Sequence, residues 1–231
     1  MSCFPKERPE FDFEIYDYLI KKGYKFVPRQ RPRKGKDCYL FLGNEDYIPI
    51  TPYKGHSNYF RTPNIYLNIH KNFLTHPRYT IYNSPGCSLD LVYDKNNECS
   101  KCIIEEIIIP ALQKANFELN SYEFSHVKYY SRRLDLPDWQ SAIEFFYKII
   151  VPIIDAALSS LQLICPTNCG NVISKITDED FEKLIQELKK IIKDCRNKLT
   201  QRQHPLNLIL YGPPGTGKTY NAITYAVAMI E

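Results

Sequence analysis

The stretch NIYLNIH, residues 64–70, alternates apolar and polar side chains along its whole length. Ile65, Leu67 and Ile69 share one side of an extended chain, because successive side chains of a strand point to opposite faces. Short segments of the same kind surround it, divided by Gly, Pro and Asn: CYLFLG, DYIPITPY, RYTIYNSPG and LDLVYDKNN. The sequence therefore predicts a sheet with one buried face in the front part of the chain.

Segments with a helical repeat lie on both sides of this sheet region. The stretch FDFEIYDYLIKK, residues 11–22, places its apolar side chains on one face and is followed by Gly23. Two further helices are predicted over residues 100–115 and 137–162, where Pro110 and Pro152 predict kinks and Asp138 a helix cap. A last helix, capped by Thr177, carries a continuous apolar stripe over residues 181–199.

The end of the chain carries a phosphate-binding pattern. The strand-like NLILY is followed by GPPGTGKT and then by the apolar TYNAITYAVAMI, which is the order strand, loop, helix of a P-loop. Glycines let the backbone bend around a phosphate, Lys218 supplies a charge to the β- and γ-phosphates, and the Thr219 hydroxyl is placed to coordinate Mg²⁺. The predicted nucleotide-binding residues are Gly212, Pro213, Pro214, Gly215, Thr216, Gly217, Lys218, Thr219 and Tyr220.

The same passage resembles a known family. LYGPPGTGKT is similar to the Walker A form of AAA+ NTPases, and the longer string to residue 231 resembles the McrB branch of modification-dependent restriction systems. The resemblance covers only about residues 206–231. It implies an N-terminal DNA-recognition domain, a homo-hexameric ring, a separate McrC-like nuclease partner, and GTP or ATP bound with Mg²⁺.

These observations predict an α+β chain in three parts. Residues 1–135 form a Tyr-rich mixed α/β domain for DNA recognition, residues 136–200 a helical segment or linker, and residues 201–231 the start of an AAA+ domain. An AAA+ core needs about one further domain after this loop. We therefore expect a portion of a longer motor, with no catalytic residue in this chain and little nucleotide hydrolysis by the chain alone.

The front part carries candidate DNA contacts. The chain has a net charge of +4, and residues 21–36 contain eight Lys and Arg side chains without an acid among them. Such a run can neutralise phosphates, or it can be a solvated loop. Tyr side chains in the following segment can stack on a splayed base or pack in the core. The candidates are Lys25, Arg29, Arg31, Arg33, Lys34, Lys36, Tyr47, Tyr53, Tyr59 and Arg61.

The chain has eight cysteines, of which two close pairs stand out. CSKC holds Cys99 and Cys102, and CPTNC holds Cys165 and Cys169, so the four thiolates could bind one zinc ion. About sixty residues separate the pairs, which favours buried or incidental cysteines instead. No secretory signal or membrane-spanning run is present in the sequence, so we expect a cytoplasmic protein, without a membrane partner, whose thiols are reduced.

Two alternatives compete with these predictions. A nuclease site would need two acids and a Lys on strands, whereas Glu187 and Lys189 fall on opposite sides of a predicted helix. The front domain could instead be a protein-interaction or adaptor domain fused to another AAA+ ATPase. DNA recognition predicts an affinity for DNA that falls as the salt concentration rises, and this measurement separates it from the adaptor alternative.

Overall fold

The computed structural model describes residues 8–29, 38–55, 63–71, 86–160, 164, 169 and 172–203. Seven strands form two antiparallel sheets in this part of the chain. The strands are β1 (Tyr47–Ile50), β2 (Tyr53–Gly55), β3 (Asn64–His70), β4 (Gly86–Asp94), β5 (Asn120–Phe124), β6 (Val127–Leu134) and β7 (Ile173–Lys175). The larger sheet has the order β1-β3-β4-β6-β5, and β2 pairs with β7. The predicted α+β class is confirmed, whereas the predicted P-loop unit lies outside the described residues.

The helical segments agree with the predicted positions. They are α1 (Glu10–Lys22), α2 (Glu98–Lys101), α3 (Ile109–Lys114), α4 (Trp139–Phe145), α5 (Val151–Leu158) and α6 (Asp178–Gln203). Gly23 ends α1 in the left-handed region with φ of 70°. Asp138 accepts from the Ser141 N–H at 2.7 Å, and Thr177 Oγ1 accepts from the Asp180 N–H at 3.2 Å, so both predicted caps are confirmed.

Pro110 and Pro152, at which the sequence predicts kinks, each follow a wide helical turn. A π-helical segment, Cys102–Ile108, joins α2 to α3, and a second one, Phe146–Ile150, joins α4 to α5. The N–H of Ile109 donates to the Ile104 carbonyl, five residues back. Proline lacks an N–H and clashes with the carbonyl four residues before it, so a wider turn just ahead of Pro110 and Pro152 accommodates the ring.

One hydrophobic core joins α1, one face of the larger sheet and the later helices. It contains Phe11, Leu67, Leu89 and Ile143, and it reaches Ile192 on α6. The core is therefore continuous across the boundary that the sequence analysis placed at residue 135. Helices that look separable in the sequence cover the sheet because their apolar stripes have no other surface to pack against.

The segment CYLFLG does not form the predicted strand. Arg8 and Asp12, whose buried side chains lie 2.7 Å apart, hold it in an irregular conformation. Arg8 Nη2 also donates to the Phe41 carbonyl at 3.1 Å, and Asp12 Oδ2 accepts from the Leu40 N–H at 2.8 Å. Hydrogen bonds to Arg8 and to Asp12 of α1 thus replace those that a neighbouring strand would make.

The expectation of reduced cysteines is wrong in this structure. Cys38 is bonded to Cys195 on α6, and Cys99 is bonded to Cys169. Cys87 is buried in β4 and is not part of a disulfide. The first of these disulfides joins residues that are 157 positions apart in the sequence.

Candidate nucleic-acid interface

The face of the larger sheet that points away from the core carries a regular array of polar side chains. Asn68 of β3 lies opposite Ser88 of β4, and Asp90 of β4 lies opposite Ser131 of β6. Directly opposed residues of an antiparallel pair share one face of the sheet. We call this the second face. Asn68 is 1% and Asp90 0% exposed, so the second face is buried here as well, and the prediction of a sheet with one buried face is wrong.

The polar array on the second face is held together by hydrogen bonds. Asn68 Nδ2 donates to Asp90 Oδ2 at 2.6 Å, and the Ser131 hydroxyl donates to Asp90 Oδ1. Among the described residues, none donates a hydrogen bond to the buried Asn68 Oδ1.

A second polar pair continues the array towards β1. His70 Nε2 lies 2.9 Å from the Ser88 hydroxyl, and the His70 ring lies 6.2 Å from the Tyr47 ring, centroid to centroid. A histidine beside a serine is the arrangement of a base and a nucleophile. Both side chains are buried, so the geometry favours a role in joining β3 to β4.

The β5 side of the second face is aromatic and more accessible. Tyr66, Val92 and Val127 form a small apolar cluster, on which Tyr129 packs. Tyr122 lies opposite Tyr129, and Phe124 lies opposite Val127 at the end of the β5–β6 hairpin. Phe124 is 75% exposed, and Tyr122 and Tyr129 are partly exposed. We call Tyr122, Phe124 and Tyr129 the aromatic edge.

A cation lies on the same face at the other end of β6, four residues beyond Tyr129, with its side chain 24% exposed. Arg133 is directly opposite Ser88, two residues along β6 from Ser131. Its Nε is 3.5 Å from the Asp135 carboxylate, whose side chain is 90% exposed. The second face therefore combines exposed rings with a guanidinium group, the two side-chain types that contact bases and phosphates.

The core face of the sheet carries a cluster of ionisable side chains around Glu105. Glu105 Oε1 accepts from Tyr93 and Lys128 at 2.6 Å each and from Tyr130 at 2.7 Å. Burial raises the pKa of Glu105, but the hydrogen bonds from Lys128, Tyr130 and Tyr93 outweigh it and lower the pKa to about 2. Because Glu105 lies on the first π-helical segment, the cluster ties this helix to β4 and β6.

Of the predicted basic contacts, Lys25 and Arg29 lie within the described residues. Lys25 Nζ pairs with the Asp178 carboxylate, and Arg29 is buried, with its backbone N–H donating to the Leu40 carbonyl at 2.8 Å. The structure therefore brings these two side chains to α6 and to the loop before β1, away from the second face. The remaining basic candidates lie outside the described residues: Arg31, Arg33, Lys34 and Lys36.

The predicted aromatic contacts divide in the same way. Tyr47 lies on the second face beside His70. Tyr53 is only 5% exposed, and its hydroxyl donates to Asp155 Oδ1 at 2.9 Å, so its ring packs in the core. We leave Tyr53 out of the interface for this reason. Tyr59 and Arg61 lie outside the described residues.

The predicted nucleotide site also lies outside the described residues. This holds for every position of the pattern, namely Gly212, Pro213, Pro214, Gly215, Thr216, Gly217, Lys218, Thr219 and Tyr220. The magnesium ligand Thr219 is among them, so the phosphate-binding prediction rests on the sequence alone.

The described parts of the chain contain neither a cluster of metal ligands nor a membrane-spanning helix. With Cys99 and Cys169 joined covalently, no group of three or more His, Cys, Asp and Glu side chains in those parts is arranged to hold a metal ion. Among the helices in the same ranges, none is long and apolar enough to cross a bilayer.

Comparison with known proteins gives no match: neither a family model, nor a curated protein, nor a solved structure is similar to this chain. The fold and the interface are therefore interpreted from their own geometry.

Four residues of the second face are not predicted by the sequence pattern as site residues: Asn68, Asp90, Ser131 and Phe124. A signal was present for the first two, since NIYLNIH and GCSLDLVYD both place polar side chains at alternate positions. Such positions ordinarily face water. Their burial depends on what covers the second face, which period-two alternation does not encode.

Proposed function

We propose that this chain couples DNA recognition to nucleotide binding, as the front part of a P-loop NTPase. The observation that carries the DNA half is the aromatic edge, where Phe124 is 75% exposed on a sheet whose other face is covered by helices. The aromatic edge is the accessible part of the second face, and exposed aromatic rings on a sheet are a recurrent platform for stacking single-stranded bases.

The geometry suggests how a strand would bind. A splayed base would stack on Phe124 or Tyr122, which lie on alternate positions of β5 and therefore on the same face. Arg133, further along the same face, would contact the phosphates. The buried Asn68–Asp90–Ser131 network would hold β3, β4 and β6 in register beneath the bound strand.

The nucleotide half rests on the order of strand, glycine-rich loop and helix at residues 206–231. We propose that Lys218 and the loop backbone bind the phosphates of GTP or ATP, and that Thr219 contributes to Mg²⁺ binding. The resemblance to McrB extends the proposal to a cytoplasmic homo-hexamer with an McrC-like nuclease partner. The hydrolase activity would belong to that assembly.

DNA binding can be tested with the full chain. Fluorescence anisotropy would compare a labelled single-stranded 20-mer with its duplex, each with and without 5-methylcytosine. We expect affinity that falls from low to high salt, as phosphate contacts require. Phe124→Ala should weaken single-strand binding about fivefold or more, because one stacked base contributes about 1–3 kcal/mol.

Ile149 provides the matched control, since it is also an exposed apolar side chain, at 49%, but lies on the helical layer. Ile149→Ala should leave DNA binding unchanged. Equal affinities of the two variants, or no binding by the unmodified chain at low salt, would rule out the aromatic edge as a DNA site. Lys218→Ala, titrated with fluorescent GTP and ATP, tests the nucleotide half separately.

A second candidate function is binding of a protein partner at the edge of the sheet. β5 is the last strand of the larger sheet, and its side chains are mostly exposed. A partner segment could add a strand there, as in β-augmentation. In that case Phe124→Ala would weaken the partner complex, whereas affinity for DNA would be absent at every salt concentration.

A further inference from the structure

A polar pocket of about 410 Å³ lies between the end of α3 and the start of β5. Asn116 has a left-handed backbone with φ of 58°, and the Phe117 N–H donates to the Leu112 carbonyl at 2.9 Å, so the chain turns sharply after the helix. The pocket therefore lies where the helical layer meets the edge strand of the larger sheet. Its lining residues are Gln113, Asn116, Glu118, Asn120 and Arg132.

Arg132 brings a positive charge to this pocket. It lies on β6 opposite the buried Leu89, and its guanidinium carbon is 4.4 Å from the centre of the Phe117 ring. Its Nη1 lies 3.5 Å from the Glu118 carbonyl oxygen. Among the described residues, no carboxylate forms an ion pair with Arg132. The ring thus holds the guanidinium in place, while most of its N–H donors stay available to a ligand.

The pocket adjoins the aromatic edge through β5. Asn120, Tyr122 and Phe124 occupy alternate positions of this strand, so they share the second face. Phe124 is four positions after Asn120, which corresponds to about 13 Å along the strand. About four stacked nucleotides, at about 3.4 Å each, cover this distance. A single strand that stacks on Phe124 and Tyr122 can therefore place a neighbouring base in the pocket.

We propose that this pocket binds a guanine base of the single strand, a proposal that rests on the DNA half of the proposed function. Guanine offers two adjacent acceptors, O6 and N7, to which one arginine donates two hydrogen bonds. Its N1 and N2 donors lie on another side of the base, where the Glu118 carboxylate can accept them. Arg132 and Glu118 would thus read two different edges of the same base.

The other three bases fit this pair less well. Adenine has a donor at the position of O6, and thymine has no amino group for a carboxylate. Cytosine offers one amino group, whereas guanine offers donors at both N1 and N2. Guanine therefore makes the largest number of hydrogen bonds with Arg132 and Glu118 together.

The remaining features of the pocket suit a base that belongs to a longer strand. Gln113, Asn116 and Asn120 carry amides, which both donate and accept and can complete the hydrogen bonds of the base and its sugar. All lining residues except Arg132 are exposed, so the strand can continue past the pocket. The volume of about 410 Å³ lies in the range of small-molecule sites.

Fluorescence anisotropy of the full chain with labelled single strands tests the proposal. The probes are an oligothymidine 20-mer and the same 20-mer with one central guanine. We expect about tenfold tighter binding of the guanine probe, the discrimination that one bidentate arginine contact gives. Replacing guanine by 7-deazaguanine removes N7, and replacing it by hypoxanthine removes the 2-amino group. Each replacement should lower the preference about threefold or more in the unmodified chain.

Substitutions then assign the two contacts. Arg132→Lys keeps the charge but loses the paired donors, so the ratio of guanine-probe to thymidine-probe affinity should fall close to one. Arg196→Lys is the matched control, because Arg196 also lies over a phenylalanine ring, that of Phe13 at 5.4 Å, but is on α6. This control should keep the ratio. Glu118→Ala should remove the difference between the guanine and hypoxanthine probes.

The base analogues need no variant to fold, and each failure has its own signature. Equal affinities of the guanine and thymidine probes overturn the guanine pocket, while a loss of both in Phe124→Ala would still support the aromatic edge. Absence of binding to either probe at low salt overturns the DNA function and the pocket together. An equal loss for both probes in Arg132→Lys would assign Arg132 to a phosphate and contradict guanine recognition.

Discussion

Asn68 and Asp90 lie on neighbouring strands, 2.6 Å apart from amide nitrogen to carboxylate oxygen, and both are buried in the sheet. They occupy diagonal positions, since Asn68 is directly opposite Ser88 and Asp90 directly opposite Tyr66. The contact therefore fixes the register of β3 against β4: a slip of β3 by one residue would send Asn68 to the core face and separate it from Asp90. This dependence on register makes the pair a good point at which to test the sheet.

We expect Asn68→Asp and Asp90→Asn each to lower the free energy of unfolding by about 1–3 kcal/mol. The first change places two carboxylates together, and the second places two amides together. The double exchange restores one donor and one acceptor, so it should recover part of the loss. Urea unfolding of the four proteins measures the coupling, and strictly additive losses would contradict the direct contact.

Arg8 and Asp12 form a second buried pair, with both side chains fully inaccessible. Asp12→Ala leaves the guanidinium without its countercharge, and we expect a loss of about 3–5 kcal/mol in stability. The exposed pair Lys183–Glu179 is the control, since its removal by Glu179→Ala should cost no more than about 0.5 kcal/mol. Similar losses in both variants would show that Asp12 does not anchor the loop before β1.

The lowered pKa of Glu105 predicts how the stability of the fold depends on pH. Its folded-state pKa of about 2 lies below the unfolded value of about 4.3, so its contribution is present above pH 4.3 and is lost as the pH falls towards 2. Water around the partly exposed carboxylate limits the contribution to about 1 kcal/mol. Urea midpoints at pH 7 and pH 3 should differ less in Glu105→Gln than in the unmodified chain. An identical difference in the two proteins would contradict this role.

Gly23 and Gly43 both have positive φ angles, of 70° and 93°, but differ in surroundings. A Cβ on Gly43 would lie 2.2 Å from the Tyr47 carbonyl oxygen, whereas one on Gly23 would meet no atom within 4 Å. We expect Gly23→Ala to cost about 1–2 kcal/mol from the left-handed backbone alone. Gly43→Ala should cost about 3 kcal/mol or more, because the clash adds to the strain. Denaturant midpoints of the two variants measure this difference. A larger loss of stability in Gly23→Ala than in Gly43→Ala would contradict the prediction.

Much of the local structure could be predicted from the sequence. The period of two in NIYLNIH identified β3, Gly23 identified the end of α1, and Asp138 and Thr177 identified two helix starts. These signals succeed because backbone geometry and capping depend on side chains within a few residues. The strand predicted at CYLFLG failed because a distant buried pair, Arg8 and Asp12, supplies its hydrogen bonds.

By itself, the sequence determined the α+β class, the positions of most helices and strands, and the glycine-rich pattern that predicts phosphate binding. The tertiary structure decided which strands pair, that the second face is buried around Asn68 and Asp90, and that Cys99 meets Cys169. The physical reason is the sequence distance over which each signal acts. A helical pattern repeats with each turn, and a strand pattern repeats every two residues. Strand order, burial of a face and cysteine pairing depend on residues up to 157 positions apart, which only the packed core brings together.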